Sequence, residues 1–592
     1  MRIRTSRKSS RVARAAFLMA LGGLSAQGQA LTALPSGVAS GEVTQHSATI
    51  WSRRATPGNI TLEVASDAAF SSIISTNTFV VTDPLDPVKL ATGNSLAPNT
   101  SYFYRATTSE GTLAGKFSTA AAVGTTTGLR FGVSGDWRGE LAPYPAVSNA
   151  DDRNLKFFVE LGDTIYADVL SPAIPQAQAV TLDDYRRKHA EVYGEKLGAN
   201  TLADLRASTP VWATIDDHEV TNDFSGGANP ATDARFSFTT ESFINETTLY
   251  KNGIQAFQEF NPIDESTYGI TGDPRTDGKA KLYRSQSYGS DASIFVLDNR
   301  SFRDAPLPDA NPNSPASVGA FLAGSFNPTR TMLGEVQIQD LKNDLLAAEQ
   351  SGVIWKFVVV PEPIQNLGVV GASDRFEGYA AERTEILKFI NDNGIDNVVF
   401  VSADIHGTVV NNLTYQNAPF GPQIKTAAWE ITTGSVAYDA PFGPTVVGLA
   451  EQLGLLAPGT SAFYDSLPLP NKEAFMEALI NGQLTPLGYS PVGLDDSGLN
   501  FKQMVGDFLA TNTYGWTEFD IDPITHVLTV TTWGIDPYTQ AEIDAGILTR
   551  QPQIVNQFQV APAPVPEPTS FALLGAGLFA LARRRNRGAA NV

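Results

Sequence analysis

The chain has 592 residues, 42% of them hydrophobic and 18% charged, with a formal charge of -20 and no cysteine. That length exceeds one compact core and asks for two or more domains, while the composition excludes disorder of the chain as a whole. The missing cysteine rules out disulfides, cysteine-zinc sites, iron–sulfur clusters and thiol catalysis, and the acidic balance argues against nucleic acid or an anionic membrane as a bulk partner.

Residues 1–30 have the layout of a signal peptide. Arg2, Arg4, Arg7, Lys8, Arg11 and Arg14 precede an apolar run over 15–24, and Gly28-Gln29-Ala30 offers a cleavage site of small residues. The run is too short to span a bilayer. Adjacent arginines are missing from it, so a twin-arginine route is not indicated.

Residues 31–122 read as a small all-β domain. Alternation marks strands at Ala48-Thr49-Ile50-Trp51 and Ile60-Thr61-Leu62-Glu63-Val64. Leu96 to Tyr104, a turn entering a strand with alternating aromatics, resembles a late strand of fibronectin type III sandwiches. The Ala-, Gly- and Thr-rich stretch 120–127 is the expected boundary.

From Leu129 the pattern changes to short apolar strands that end in polar loops: 129–133, 156–161, 211–215, 293–297, 355–360 and 397–401. Helical stretches at 331–350 and 380–393 fall between them, so the expectation is an α/β layered fold, with ligands at the carboxyl ends of its strands. Residues 224–235, 304–330 and 440–500 are rich in Gly, Pro, Asn and Ser and read as surface insertions, a lid among them. Residues 515–534 read as a hairpin closing the core.

Four strand ends deliver metal-ligand side chains: Ser134-Gly135-Asp136, Gly162-Asp163-Thr164-Ile165-Tyr166, Asp216-Asp217-His218-Glu219 and Ala403-Asp404-Ile405-His406-Gly407. Singly each is weak, because an Asp after a strand is commonly a helix cap or turn residue. Their conjunction is informative. Of five histidines, two lie in these motifs, and His46, His189 and His526, which lack such acidic surroundings, read as structural.

The order Asp, Gly-Asp-x-x-Tyr, Asp-His-Glu, Asp-x-His resembles the calcineurin-like metallophosphoesterases, and within them the PhoD-like alkaline phosphatases. Ser36-Gly37-Val38-Ala39-Ser40-Gly41 and Asp298-Asn299-Arg300-Ser301-Phe302-Arg303 extend the resemblance over roughly residues 35–540. It implies a layered metallophosphoesterase sandwich over 123–560, preceded by the fibronectin-like β-sandwich. It also implies hydrolysis of phosphate mono- or diesters at a dinuclear centre of Fe3+ and Ca2+ that share a nucleophilic hydroxide. By the same resemblance Asp163 bridges both metals and Tyr166 and His406 bind the iron, with Asp136 a candidate for its remaining ligand. Asp217 and Asp404 bind the second metal, and His218 faces the phosphate. Asp404, where many relatives carry histidine, makes that second site all-oxygen, which suits calcium. Glu362 and Asn222 are candidate extra ligands. Arg138, or Arg300 and Arg303, are candidates to clamp phosphate oxygens. The PhoD branch carries an iron-binding cysteine near position 135; this chain has Gly135-Asp136, so the metal identity stays open.

At the other end, Val565-Pro566-Glu567-Pro568, an apolar run over 571–582 and Arg583-Arg584-Arg585 resemble a PEP-CTERM sorting tail, placed here at 561–592. The resemblance implies export to the periplasm, outer surface or extracellular matrix of a Gram-negative bacterium, an exosortase as processing partner, and transient membrane association through the tail; an ordinary C-terminal anchor is the alternative. Two other functions stay open: a non-catalytic envelope or biofilm surface protein on a phosphatase scaffold, and a metal hydrolase acting on lipid headgroups or envelope polymers.

Overall fold

The structure, a computed structural model, describes residues 32–564. The leader expected over 1–30 and the sorting tail from residue 565 onward lie outside the described residues. Among those residues the strands form three sheets.

Two sheets face each other to make the core. In the first, Leu129–Trp137, Phe158–Leu161 and Val211–Thr214 run parallel, and the hairpin Tyr514–Ile521/Leu528–Ile535 adds antiparallel to the free side of Leu129–Trp137. In the second, Ala292–Val296, Trp355–Val359, Val398–Ser402 and Ile424–Thr432 run parallel. Alternate residues of these apolar strands point inward, so Phe131, Val133, Phe157, Val159 and Leu161 meet Ile294, Val296, Phe357, Val359, Val399 and Val401. Phe131 stacks on Phe157 at 4.6 Å and on Phe519 at 4.8 Å, pinning the closing hairpin.

The outward residues are also buried, as in sheets covered on both faces. Helices Leu182–Val192 and Thr201–Ser208 lay Tyr185, Val192, Leu202 and Leu205 over the first sheet. Helices Glu335–Gln350 and Ala380–Asp392 lay Ile338, Leu341, Leu345, Ile386 and Ile390 over the second. The result is a four-layer α/β/β/α sandwich.

The sequence pattern ends one strand at Val133, whereas the structure carries it to Trp137. The polar extension is held by Ser435–Ala437, which pairs Ser435 with Gly135 and Ala437 with Trp137. A partner three hundred residues away, rather than local apolar character, keeps these residues extended.

At the N-terminal end, an antiparallel sheet of Ile73–Val81, Gly58–Ala65, Ser101–Thr107 and Thr112–Ser118 packs on Val38–Gly41, Thr49–Ser52 and Val88–Ala91 around Ile50, Ile60, Leu62, Val64 and Phe117. The second of these layers runs on into the first core sheet, because Gly41 pairs in parallel with Val211. A Cβ at Gly41 would lie 2.7 Å from the Val211 carbonyl oxygen, so the junction requires glycine.

The 440–500 insertion folds into helices Phe442–Gln452, Thr460–Asp465 and Leu469–Leu484. Glu473 anchors it by accepting the Thr511 N–H at 3.0 Å, and Phe442 N–H donates to the His406 carbonyl at 3.0 Å. No helix among the described residues is long and apolar enough to cross a membrane.

Candidate metal centre

The ligand-bearing segments pass through left-handed backbone, Asp136 within its strand and the others just beyond theirs. Asp136, Asp163, Asp404 and His406 have φ of 62°, 48°, 65° and 60°. Asp and His tolerate this region better than most residues, and such strain persists where surrounding structure enforces it. Gly162 has φ 86°, and a Cβ there would sit 2.5 Å from the Asp216 nitrogen, so its glycine lets the second and third loops touch. The buried Glu219 carboxylate then joins them, accepting N–H groups from Thr164 at 2.7 Å, Asp216 at 2.8 Å and Asp163 at 3.2 Å.

Three ligand groupings result, each with atoms within 4.8 Å of one another: Asp136, Asp163 and His406; Asp163, Asp217 and His218; Asp216, Glu362 and Asp404. Asp163 belongs to two of them. The Tyr166 hydroxyl lies 3.4 Å from His406 Nε2, which is itself 3.5 Å from Asp136 Oδ1. Asp404 falls with Asp216 and Glu362 rather than in the Asp217 triad. The Asn222 backbone N–H donates to Asp168 Oδ2 at 2.8 Å.

The electrostatics ask for positive charge. Asp136 is fully buried and neither of its carboxylate oxygens has a hydrogen-bond partner. Burial first, then the surrounding carboxylates, push the Asp136, Asp163 and Asp404 carboxyls well above the usual range. Burial holds the His406 imidazole neutral, with its pKa down at about 3, so its ring nitrogen keeps a free lone pair. Orphaned oxygens, a neutral imidazole and a phenol in one spot form a donor set that fits a bound cation, and the purely carboxylate group beside it fits a second.

His218 Nδ1 lies 2.5 Å from Asp168 Oδ1, and its ring is 4.3 Å from that of Tyr166. Burial alone would lower its pKa, but Asp217 and Asp168 raise it to about 9. Arg300 and Arg303, expected to face phosphate, are fully buried. Arg300 is taken up by Asp216 at 2.5 Å, Asp374 at 2.9 Å and Glu362, and Arg303 by Asp374 at 3.0 Å. Arg138 sits nearer the surface, bound to Glu140 and Asp439. Tyr438, just past the strand that extends Leu129–Trp137, stacks on His406 at 3.7 Å and lies 5.1 Å from Tyr166.

Asp168, Asp216, Glu219, Asp374 and Tyr438 had no assigned role in the sequence reading. Asp216 and Glu219 were visible inside the Asp-Asp-His-Glu motif and Asp168 two residues beyond Tyr166, but nothing local marked Asp374 or Tyr438.

A four-layer sandwich with carboxylates and imidazoles gathered at the carboxyl ends of its parallel strands is the metallophosphoesterase architecture. The family model described as PhoD-like phosphatase matches residues 133–452, and its N-terminal-domain model matches 22–127. The chain belongs to the PhoD-like phosphatase family. Its sequence is 29% identical to alkaline phosphatase D of Bacillus subtilis (strain 168) over 408 residues, which cover 64% of this chain and 65%, just under two thirds, of that relative. A solved structure of PhoD shares the fold, with a TM-score of 0.63 at 21% identity over 90% of this chain and 93% of that one. Residues 564–587 match the PEP-CTERM protein-sorting motif.

Proposed function

We propose that the chain is an exported metal-dependent phosphoesterase that hydrolyses phosphate mono- or diesters. The observation that carries this reading is the buried Asp136, both oxygens unpartnered, beside Asp163, Tyr166 and His406. Such a cluster is costly without a cation.

Asp136, Asp163, Tyr166 and His406 would hold Fe3+, a hard ion suited to phenolate and carboxylate. Asp163 and Asp217, together with the Asp216, Glu362 and Asp404 group, would supply the all-oxygen set suited to Ca2+. When bound, the cations supply positive charge to the phosphate oxygens and lower the pKa of a coordinated water to near neutrality.

The chain's own residues orient and protonate. His218, held charged by Asp217 and Asp168, contacts the phosphate and delivers its proton to the leaving oxygen as the ester bond breaks. Asp168 accepts the hydrogen bond from Nδ1–H, which leaves the Nε2 proton for the substrate. Arg138 contributes charge at the rim, while Arg300 and Arg303 act as positioning residues that hold the Asp216, Glu362 and Asp374 carboxylates. The PEP-CTERM match supports sorting by an exosortase and a location in the cell envelope or beyond.

The test is assay of iron- and calcium-loaded protein on 4-nitrophenyl phosphate and bis(4-nitrophenyl) phosphate, with metal content measured in parallel. The double replacement Asp163→Asn/His406→Ala should lose both metal and hydrolysis while keeping its circular dichroism. Full turnover by a folded, metal-depleted double variant refutes the reading.

A further inference from the structure

The surface carries a cleft of about 760 Å3 that Arg138 lines. One wall is the continuation of the Tyr166 loop: Leu170, Pro172, Ala173, Ile174 and Pro175, with Leu170 63% exposed. The opposite rim carries Arg138 and Asp439, and Asp544 also lines the cleft. Tyr438 links Arg138 of that lining to the ligand cluster. Its ring stacks on His406 at 3.7 Å, and the Arg138 guanidinium lies 5.6 Å from the ring centre. An ester bound at the Asp163 cluster with its alcohol portion directed past Tyr438 toward Arg138 would enter this cleft.

The lining is unbalanced in charge. Glu140, Asp439 and Asp544 face one guanidinium, Arg138, which Glu140 and Asp439 already occupy. Lys188 and Lys196, by contrast, donate to the Val169 and Glu140 carbonyl oxygens and do not line the cleft. An anionic alcohol portion entering here would meet carboxylates with no free cation, whereas an apolar body would find the proline- and leucine-lined wall.

We infer that this cleft is the leaving-group subsite and selects phosphoesters whose alcohol is apolar-bodied and neutral or cationic, against those carrying further anionic groups. The inference rests on the phosphoesterase reading above. The specificity-determining residues are Asp439 and Asp544. Both are exposed, so their replacement leaves the core untouched.

The experiment compares kcat/KM of the metal-loaded enzyme on two aryl phosphates, one bearing a trimethylammonium substituent and one a carboxylate, in wild type, Asp439→Asn/Asp544→Asn and Asp544→Lys. The cation-to-anion ratio should fall about tenfold in the double variant, a change equivalent to ~1.4 kcal/mol, and fall also in Asp544→Lys. An unchanged ratio, with both esters still hydrolysed, overturns the subsite and leaves the phosphoesterase reading standing. Hydrolysis of neither ester nor of 4-nitrophenyl phosphate by loaded wild type overturns both.

Discussion

The Glu219 carboxylate accepts the backbone N–H of Thr164 at 2.7 Å, tying the loop that carries Asp163 and Tyr166 to the loop that carries Asp217 and His218. With the Asp216 and Asp163 N–H groups also bound, one fully buried side chain satisfies three donors. Glu219→Ala strands those donors and should destabilise the protein by about 3 kcal/mol. It should also weaken metal binding about tenfold or more, since the ligand loops lose their common brace. Urea unfolding and metal titration check this. A variant with wild-type unfolding midpoint and metal affinity would show that the loops are held by other means.

Asp168 is argued to act on catalysis only through His218. Its Oδ1 accepts the hydrogen bond from Nδ1–H and its Oδ2 accepts the Asn222 N–H at 2.8 Å, so the carboxylate is itself held in place. Asp168→Asn keeps the shape but loses the charge that fixes and stabilises the imidazolium. The expected result is a fall in kcat of about tenfold to a hundredfold with KM nearly constant, below the roughly 10²- to 10⁴-fold that a general acid contributes, because His218 itself remains. A change confined to KM, or one tracking a drop in thermal stability, would count against the positioning role.

Much of the core, and the grouping of the ligand motifs, was legible because their signals are local. The apolar strands 293–297, 355–360 and 397–401 fall within a residue of Ala292–Val296, Trp355–Val359 and Val398–Ser402; the Asp163, Asp217 and Asp404 motifs follow apolar strands directly, and Asp136 lies in the extension of one. The rest depends on chain closure. Arg300, a candidate phosphate clamp from its motif, also meets Asp216, Glu362 and Asp374, which arrive from two other loops. Tyr438 has no motif around it and reaches His406 only because Ser435–Ala437 joins the end of Leu129–Trp137. The continuity of the N-terminal layer with the catalytic sheet hangs on the pairing of Gly41 with Val211, for which no local pattern exists.

His189, read as structural from sequence, carries an acid sensitivity. Its ring is fully buried, stacked 5.2 Å from Phe260, and neither nitrogen has a partner. Burial, assisted by Arg206, lowers its pKa from 6.5 to about 3. Between those values the unfolded chain binds the proton and the folded one does not, so stability falls as pH drops below 6.5. The slope is about 1.4 kcal/mol per pH unit. His189→Phe removes this contribution. The stability of the variant relative to wild type should rise by about 2 kcal/mol between pH 7.5 and pH 5.0 in urea unfolding, any packing offset cancelling in the comparison. A pH-independent difference would mean that the ring protonates in place.

Arg300 separates two roles by measurement. Its guanidinium is wholly enclosed, with Asp216 at 2.5 Å and Asp374 at 2.9 Å, and Asp217 a further 3.9 Å contact. Removing it leaves several buried carboxylates uncompensated. Arg300→Met should therefore cost about 3–5 kcal/mol in metal-free protein, and millimolar Ca2+ should restore part of that loss by occupying the carboxylates. Its effect on activity should follow stability and metal loading. A residue that clamps substrate phosphate would behave differently: KM would rise while the unfolding midpoint and its response to Ca2+ stayed at wild-type values. Stability curves with and without Ca2+, read beside KM on 4-nitrophenyl phosphate, decide between them, because charge buried among carboxylates and charge offered to a substrate answer to different ligands.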